Sequence, residues 1–172
     1  MKKLTTIIAI FIFALVFSND MSAQKFGGLD KSPADVVLSP RRGAKVVKIV
    51  YSRPQLKGRS VSKLAPAGKV WRTGANEATQ ITFYKDVTFG GKAVKAGTYS
   101  LFTIPGEKEW TIIINSATND WGSGSYSEAK DVARVSGKVS KSDKTIEAFS
   151  MAVANDSLYL GWGDTVVTVS MN

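Results

Sequence analysis

Apolar and polar residues alternate with a period of two along most of the chain, the signature of strands with one buried face. Val46–Tyr51 sets Val47, Ile49 and Tyr51 on one side and Val46, Lys48 and Val50 on the other. The same alternation predicts strands over Thr79–Tyr84, Thr98–Ile104, Glu109–Asn115, Val132–Val139, Thr145–Ala154, Ser157–Trp162 and Thr165–Met171. Val87–Phe89 and Lys92–Val94 flank Gly90-Gly91, a pair suited to a two-residue hairpin turn. Val36–Leu38 is a candidate edge strand, and Asn155-Asp156 and Gly163-Asp164 are candidate turns. A helical period appears nowhere beyond a short turn at Ser127–Lys130. The expected fold is all-β: an antiparallel β-sandwich or jelly roll of about 8–10 short strands, with a small closed β-barrel as the alternative.

Two polar stretches interrupt the strands. Ser52–Lys69 carries Pro54, Gly58, Pro66 and Gly68, and Ser116–Ser127 is glycine-rich and contains Trp121 and Tyr126. Long loops on a rigid frame often carry function, and these two are expected to gather at one end of the sheets.

The first residues follow a different pattern. Lys2 and Lys3 precede an apolar run from Ile7 to Phe17, then a polar stretch ending in a small residue. This reads as a signal peptide over 1–23, cut after Ala23, with Ser18 as the alternative boundary. The run is too short for a helix that must cross a bilayer with about 20 residues, and no later segment is long and apolar enough to span. The expected organisation is a tail with its edge strand over 24–45 and a single β domain over 46–172, exported to the periplasm or secreted. Export removes nucleic acid from the expected partners.

Composition narrows the chemistry. The chain has no His and no Cys, which excludes Ser-His-acid and Cys-His catalysis, disulfides, a lipid anchor on cysteine and the usual zinc sites. No glycine fingerprint for a dinucleotide or nucleoside triphosphate is present. No cofactor, metal site or catalytic residue is assigned. The formal charge of +9 is uneven: Gln24–Arg72 holds 12 Lys/Arg against two acids, and Thr73–Asn172 holds nine against 11. A basic segment of this kind is either a solvated face or a surface for an anionic partner.

The densest chemistry lies in Tyr51-Ser52-Arg53-Pro54, Lys57-Gly58-Arg59 and Lys69–Glu77. Arg53, Arg59 and Arg72 could converge on one anion, because a guanidinium matches a planar carboxylate or phosphate at two points. Alternatively they brace the loop by bonding its carbonyls. Asn76 could add an amide. Glu77, paired with a nearby Asp, is the candidate for carboxylate chemistry on a glycosidic bond, or the partner of a structural ion pair. Trp121 and Tyr126 could stack on a sugar ring or cover the end of the sheets.

The stretches Tyr51–Pro54, Gly68–Thr79 (GKVWRTGANEAT), Ala96–Gly106 (AGTYSLFTIPG), Glu109-Trp110-Thr111 and Trp121-Gly122 resemble an exported bacterial family common in Bacteroidetes and known as domain of unknown function 2911. The resemblance spans nearly all of Lys25–Met171. It implies an exported, single-domain, mostly β protein and transfers no ligand or catalytic residue. The chain departs from the family over Leu64–Gly68, where Ala67 replaces an aromatic; any pocket that aromatic lines is wider here or differently used.

Three functions are consistent with these residues. The leading expectation is a non-enzymatic exported binding module for a small anion or an envelope glycan. The others are a carbohydrate-active enzyme using Glu77 and a nearby Asp, and a structural envelope protein with an envelope protein as its partner.

Overall fold

A computed structural model describes residues 26–172; the predicted signal peptide and its cleavage site lie outside the described residues. The elements are β1 (Ala34–Ser39), β2 (Val47–Ser52), α1 (Val61–Leu64), β3 (Thr79–Phe83), β4 (Val87–Phe89), β5 (Lys92–Val94), β6 (Gly97–Ile104), β7 (Glu109–Asn115), β8 (Asp131–Ala154) and β9 (Ser157–Ser170). The chain is all-β, as the alternation predicts. Seven strands form one antiparallel sheet in the order β1-β2-β3-β6-β7-β8-β9, and β4 and β5 form a separate hairpin. The expected turns at Gly90-Gly91 and Asn155-Asp156 take left-handed backbone at all four residues, and the expected helical turn is a single 3-10 turn over Glu128–Lys130.

Besides one-residue shifts at strand ends, the two strands expected over Val132–Val139 and Thr145–Ala154 are one continuous strand, β8, and three further boundaries differ from expectation. The edge strand is longer, running from Ala34 to Ser39. The Ser52–Lys69 stretch contains α1, whose Lys63 N–H is capped by the Ser60 hydroxyl. The expected turn at Gly163-Asp164 is instead a kink inside β9, where Gly163 has φ +62°. Opposite that kink β8 continues without a break. From Lys141↔Thr165 to Ile146↔Gly163 and on to Ser150↔Gly161 it advances nine residues while β9 advances four. These bulges bend the hairpin over the rest of the sheet. Glycine tolerates the left-handed backbone required there, and a Cβ at Gly163 would sit 2.9 Å from Val61 of α1.

The bend brings the ends of the sheet together. Beyond β2, Leu56 N donates to Glu147 O at 3.0 Å and Phe149 N donates to Pro54 O at 2.9 Å. The core fills the space inside the curl. Ile49, Ile81, Leu101, Ile112 and Leu158 are fully buried, and Trp71 stacks on Trp162 at 5.3 Å with Phe149 edge-on at 5.0 Å. Side chains stitch the seam. Met151 N donates to the Tyr51 hydroxyl at 3.0 Å, which in turn reaches Asp35 Oδ2 at 3.2 Å.

The outer face of the sheet is covered in one place. Phe102 and Ile113 are fully buried yet face away from the core residues Leu101, Ile112 and Ile114. The polar loop between β7 and β8 lies over them, with the Tyr126 ring 5.2 Å from Phe102. That loop carries Trp121.

Candidate functional site

The loop is anchored at both ends by one polar network. Asn115 Nδ2 donates to Asp131 Oδ1 at 2.7 Å and to Ser127 O at 3.0 Å, while its Oδ1 accepts from Ala117 N at 3.0 Å. The Tyr126 hydroxyl donates to Asp131 Oδ2 at 2.8 Å and accepts from Arg134 Nη1 at 2.8 Å. Burial, reinforced by the Asp131 carboxylate, pushes the Tyr126 phenol up to about 12. The network is part-buried, with Asn115 fully enclosed, and its paired polar groups hold the loop to the sheet.

Between those anchors, residues 120–122 pair with the segment before β3. Ala78 N donates to Asp120 O at 2.9 Å and Gly122 N to Asn76 O at 3.1 Å, with Glu77 opposite Trp121 in an antiparallel bridge. The backbone here is left-handed at Thr73 (φ 55°), Asn76 (61°), Asn119 (63°) and Gly122 (75°). For a β-branched threonine this costs on the order of 1–3 kcal/mol. Thr73 is nonetheless held: its carbonyl accepts from Thr79 Oγ1 at 2.8 Å and its hydroxyl lies 3.3 Å from Thr103 Oγ1. Gly74 fits because a Cβ there would sit 3.0 Å from Ser52 O.

Three features make this corner the candidate site. Trp121 is 71% exposed, whereas Trp71, Trp110 and Trp162 are 7%, 4% and 2% exposed. Arg72 Nε and Asp120 Oδ2 are buried and have no hydrogen-bond partner, a cost that native structures rarely leave unexplained. Beside them lies an open groove of about 380 Å³ bounded by Ala34, Val50, Ser52, Glu77, Gln80 and Asn119 among others.

The structure thus brings together four of the residues singled out in the sequence, Arg72, Asn76, Glu77 and Trp121. Tyr126 lies beneath them as an anchor of the loop. Arg53 and Arg59 lie elsewhere. Arg53 donates to Phe149 O, Asp35 Oδ2 and Ser150 Oγ, and Arg59 to Leu56 O and Gln55 O. No two of the three arginines share a hydrogen-bond partner among the described residues; Arg53 and Arg59 hold carbonyls, the bracing alternative. Asn119 and Asp120 join the corner from a loop whose path no periodicity discloses, and Gln80 joins through strand register. Asp30, in the segment before β1, also reaches the corner: its Oδ1 accepts from Asn76 Nδ2 at 3.3 Å. The Ser32 N–H, then the Asn76 amide, hold its carboxyl below the ordinary range. Among the described residues no group of acids is arranged to hold a metal ion. Ala67 lines a second cleft, of about 690 Å³, between α1, Trp110 and Gly163.

The model of a protein family described as protein of unknown function (DUF2911) matches residues 32–171. No curated protein and no solved structure matches the chain.

Proposed function

We propose that this chain, which belongs to the DUF2911 family of proteins of unknown function, is an exported module that binds an envelope glycan without turning it over, at the corner built around Trp121. The observation that carries this reading is the exposure of the Trp121 indole on a loop whose backbone is tied down on both sides. A flat, rigid aromatic face contributes contact area at little entropic cost, and the apolar face of a pyranose ring matches it. Glu77, Asn76 and Asn119 around it offer both donors and acceptors, as hydroxyl groups require. The glycan half of the sequence expectation gains over the small-anion half because Arg53 and Arg59 spend their donors on the protein itself.

The test uses the difference among the tryptophans. Acrylamide quenching of emission reports mainly Trp121, the others being buried. A bound glycan is expected to protect that quenchable fraction, and Trp121→Ala to remove both protection and binding while leaving the melting temperature within about 2 °C. Undiminished binding by Trp121→Ala would overturn the assigned site. Release of shorter sugars, abolished by Glu77→Gln, would instead favour the enzymatic alternative, in which Asp120 is the nearby acid.

A further inference from the structure

We infer that the ligand of this corner is an extended, uncharged oligosaccharide chain that continues from Trp121 across the outer face of β3, β2 and β1; the inference rests on the glycan reading above and deepens it.

The groove does not end at the loop. Glu77 and Asn119 join it to Trp121, and its floor runs over Ala78 to Gln80, Val50 and Ala34. Gln80, Val50 and Val36 form one row across three adjacent strands, because Gln80 pairs with Val50 and Val50 with Val36. Strands lie about 4.8 Å apart, so the row is roughly 10 Å long before the loop is counted. A single sugar ring on Trp121 would leave that row uncovered. Val36 at its far end is 49% exposed, an apolar side chain left open on the same face.

The lining also states the charge of the ligand. Its polar groups are the Gln80 and Asn119 amides and the Ser52 hydroxyl, each able to donate and to accept. Glu77 is the one charged residue among those that bound the groove, and neither lysine nor arginine does so. Beyond the corner, where Arg72 is the cation at hand, a uronate or sulfate chain along the groove would therefore meet a carboxylate and no lysine or arginine in its lining. This is the reverse of the protein as a whole, whose formal charge is +9. Selectivity for a neutral chain is thus local, set against the overall field.

The experiment titrates the full chain with ladders from monosaccharide to hexasaccharide, built from glucose, mannose or N-acetylglucosamine, and with a matching oligouronate ladder, reading Trp121 protection. Affinity is expected to rise about tenfold or more with length on at least one neutral ladder and then level off, with the uronates weaker. Gln80→Ala is expected to lower hexasaccharide affinity roughly five- to tenfold and to leave the monosaccharide within about twofold. Asn119→Gly, beside Trp121 itself and with glycine tolerating the left-handed backbone there, is expected to weaken monosaccharide and hexasaccharide alike. Melting temperature on each sample separates misfolding from lost contact. Affinity independent of length would overturn the extended chain and leave the Trp121 site standing. Tighter binding of uronates would overturn the neutral ligand. Silence on every ladder would overturn the glycan reading itself.

Discussion

Arg53 and Arg72 stand in similar sequence settings, each next to an aromatic-containing strand or bridge, yet the fold uses them in opposite ways. Arg53 closes the seam with bonds of 3.0, 3.2 and 2.7 Å to three acceptors on β8 and β1. Arg72 makes no side-chain hydrogen bond to a described residue, and its Nε is buried. Around Arg53 the left-handed residues are Lys57 and Gly58, in one turn of the loop; around Arg72 they are four, Thr73, Asn76, Asn119 and Gly122. At the seam the donors of the arginine are therefore met by the protein itself. The corner carries unmet bonding capacity and strain on a frame stiff enough to hold them, and such features gather where a protein meets something else.

Arginine-to-methionine exchanges break the comparison most directly, because methionine keeps much of the apolar stem and removes the charged head. Arg53→Met is expected to cost about 2–3 kcal/mol, with a melting temperature lower by roughly 4–10 °C, since it strands two acceptors on β8 and the Asp35 carboxylate. Little of that comes from the Arg53–Asp35 ion pair, which is partly exposed at 35% and 41%. Thermal unfolding measures it, and glycan affinity should be unchanged. At the same seam Tyr51→Phe removes the acceptor of the Met151 N–H and is expected to cost about 1–2 kcal/mol.

Arg72→Met should do the reverse. Removing a buried donor that has no partner is expected to leave stability within about 0.5 kcal/mol or to raise it. Glycan affinity should fall roughly tenfold, equivalent to about 1.4 kcal/mol. A loss of stability as large as that of Arg53→Met would erase the distinction between the two regions.

How far the sequence discloses all this depends on the physics of each part. Strand faces are legible because period-two alternation is a local consequence of the pleat: Val47, Ile49 and Tyr51 share the inward face as read. The kink at Gly163 was not legible, since a glycine-aspartate pair reads equally well as a turn or as a bulge. Convergence of side chains is a long-range matter. Arg53 meets Ser150 across 97 residues of chain, and only the curl of the sheet places them together. Arg72, Asn76 and Glu77 could be grouped because they share one short segment. Asp120 and Asn119 reach that segment through backbone pairing that no side-chain pattern encodes.

The smallest effect at neutral pH appears only in alkali, and it compares the regions through their tyrosines. Burial raises the phenol of Tyr51 at the seam, and that of Tyr126 beneath the corner is pushed up to about 12. In the unfolded chain a tyrosine ionises near 10. Both groups thus hold their protons more tightly when folded, so their contribution to stability is fully present below pH 10 and is lost as pH rises through the folded values. For Tyr126 that window runs from 10 to about 12. Ionisation would set a phenolate 2.8 Å from the Asp131 carboxylate, with Arg134 as the one cation in contact. The loop carrying Trp121 should then loosen before the sheet does. Phenolate absorbance on the full chain is expected to show a late-titrating tyrosine that Tyr126→Phe removes, and acrylamide access to Trp121 should increase over the same interval. If seam and corner were equally well fastened, loss of the seam signal would accompany loss of the loop at the same pH.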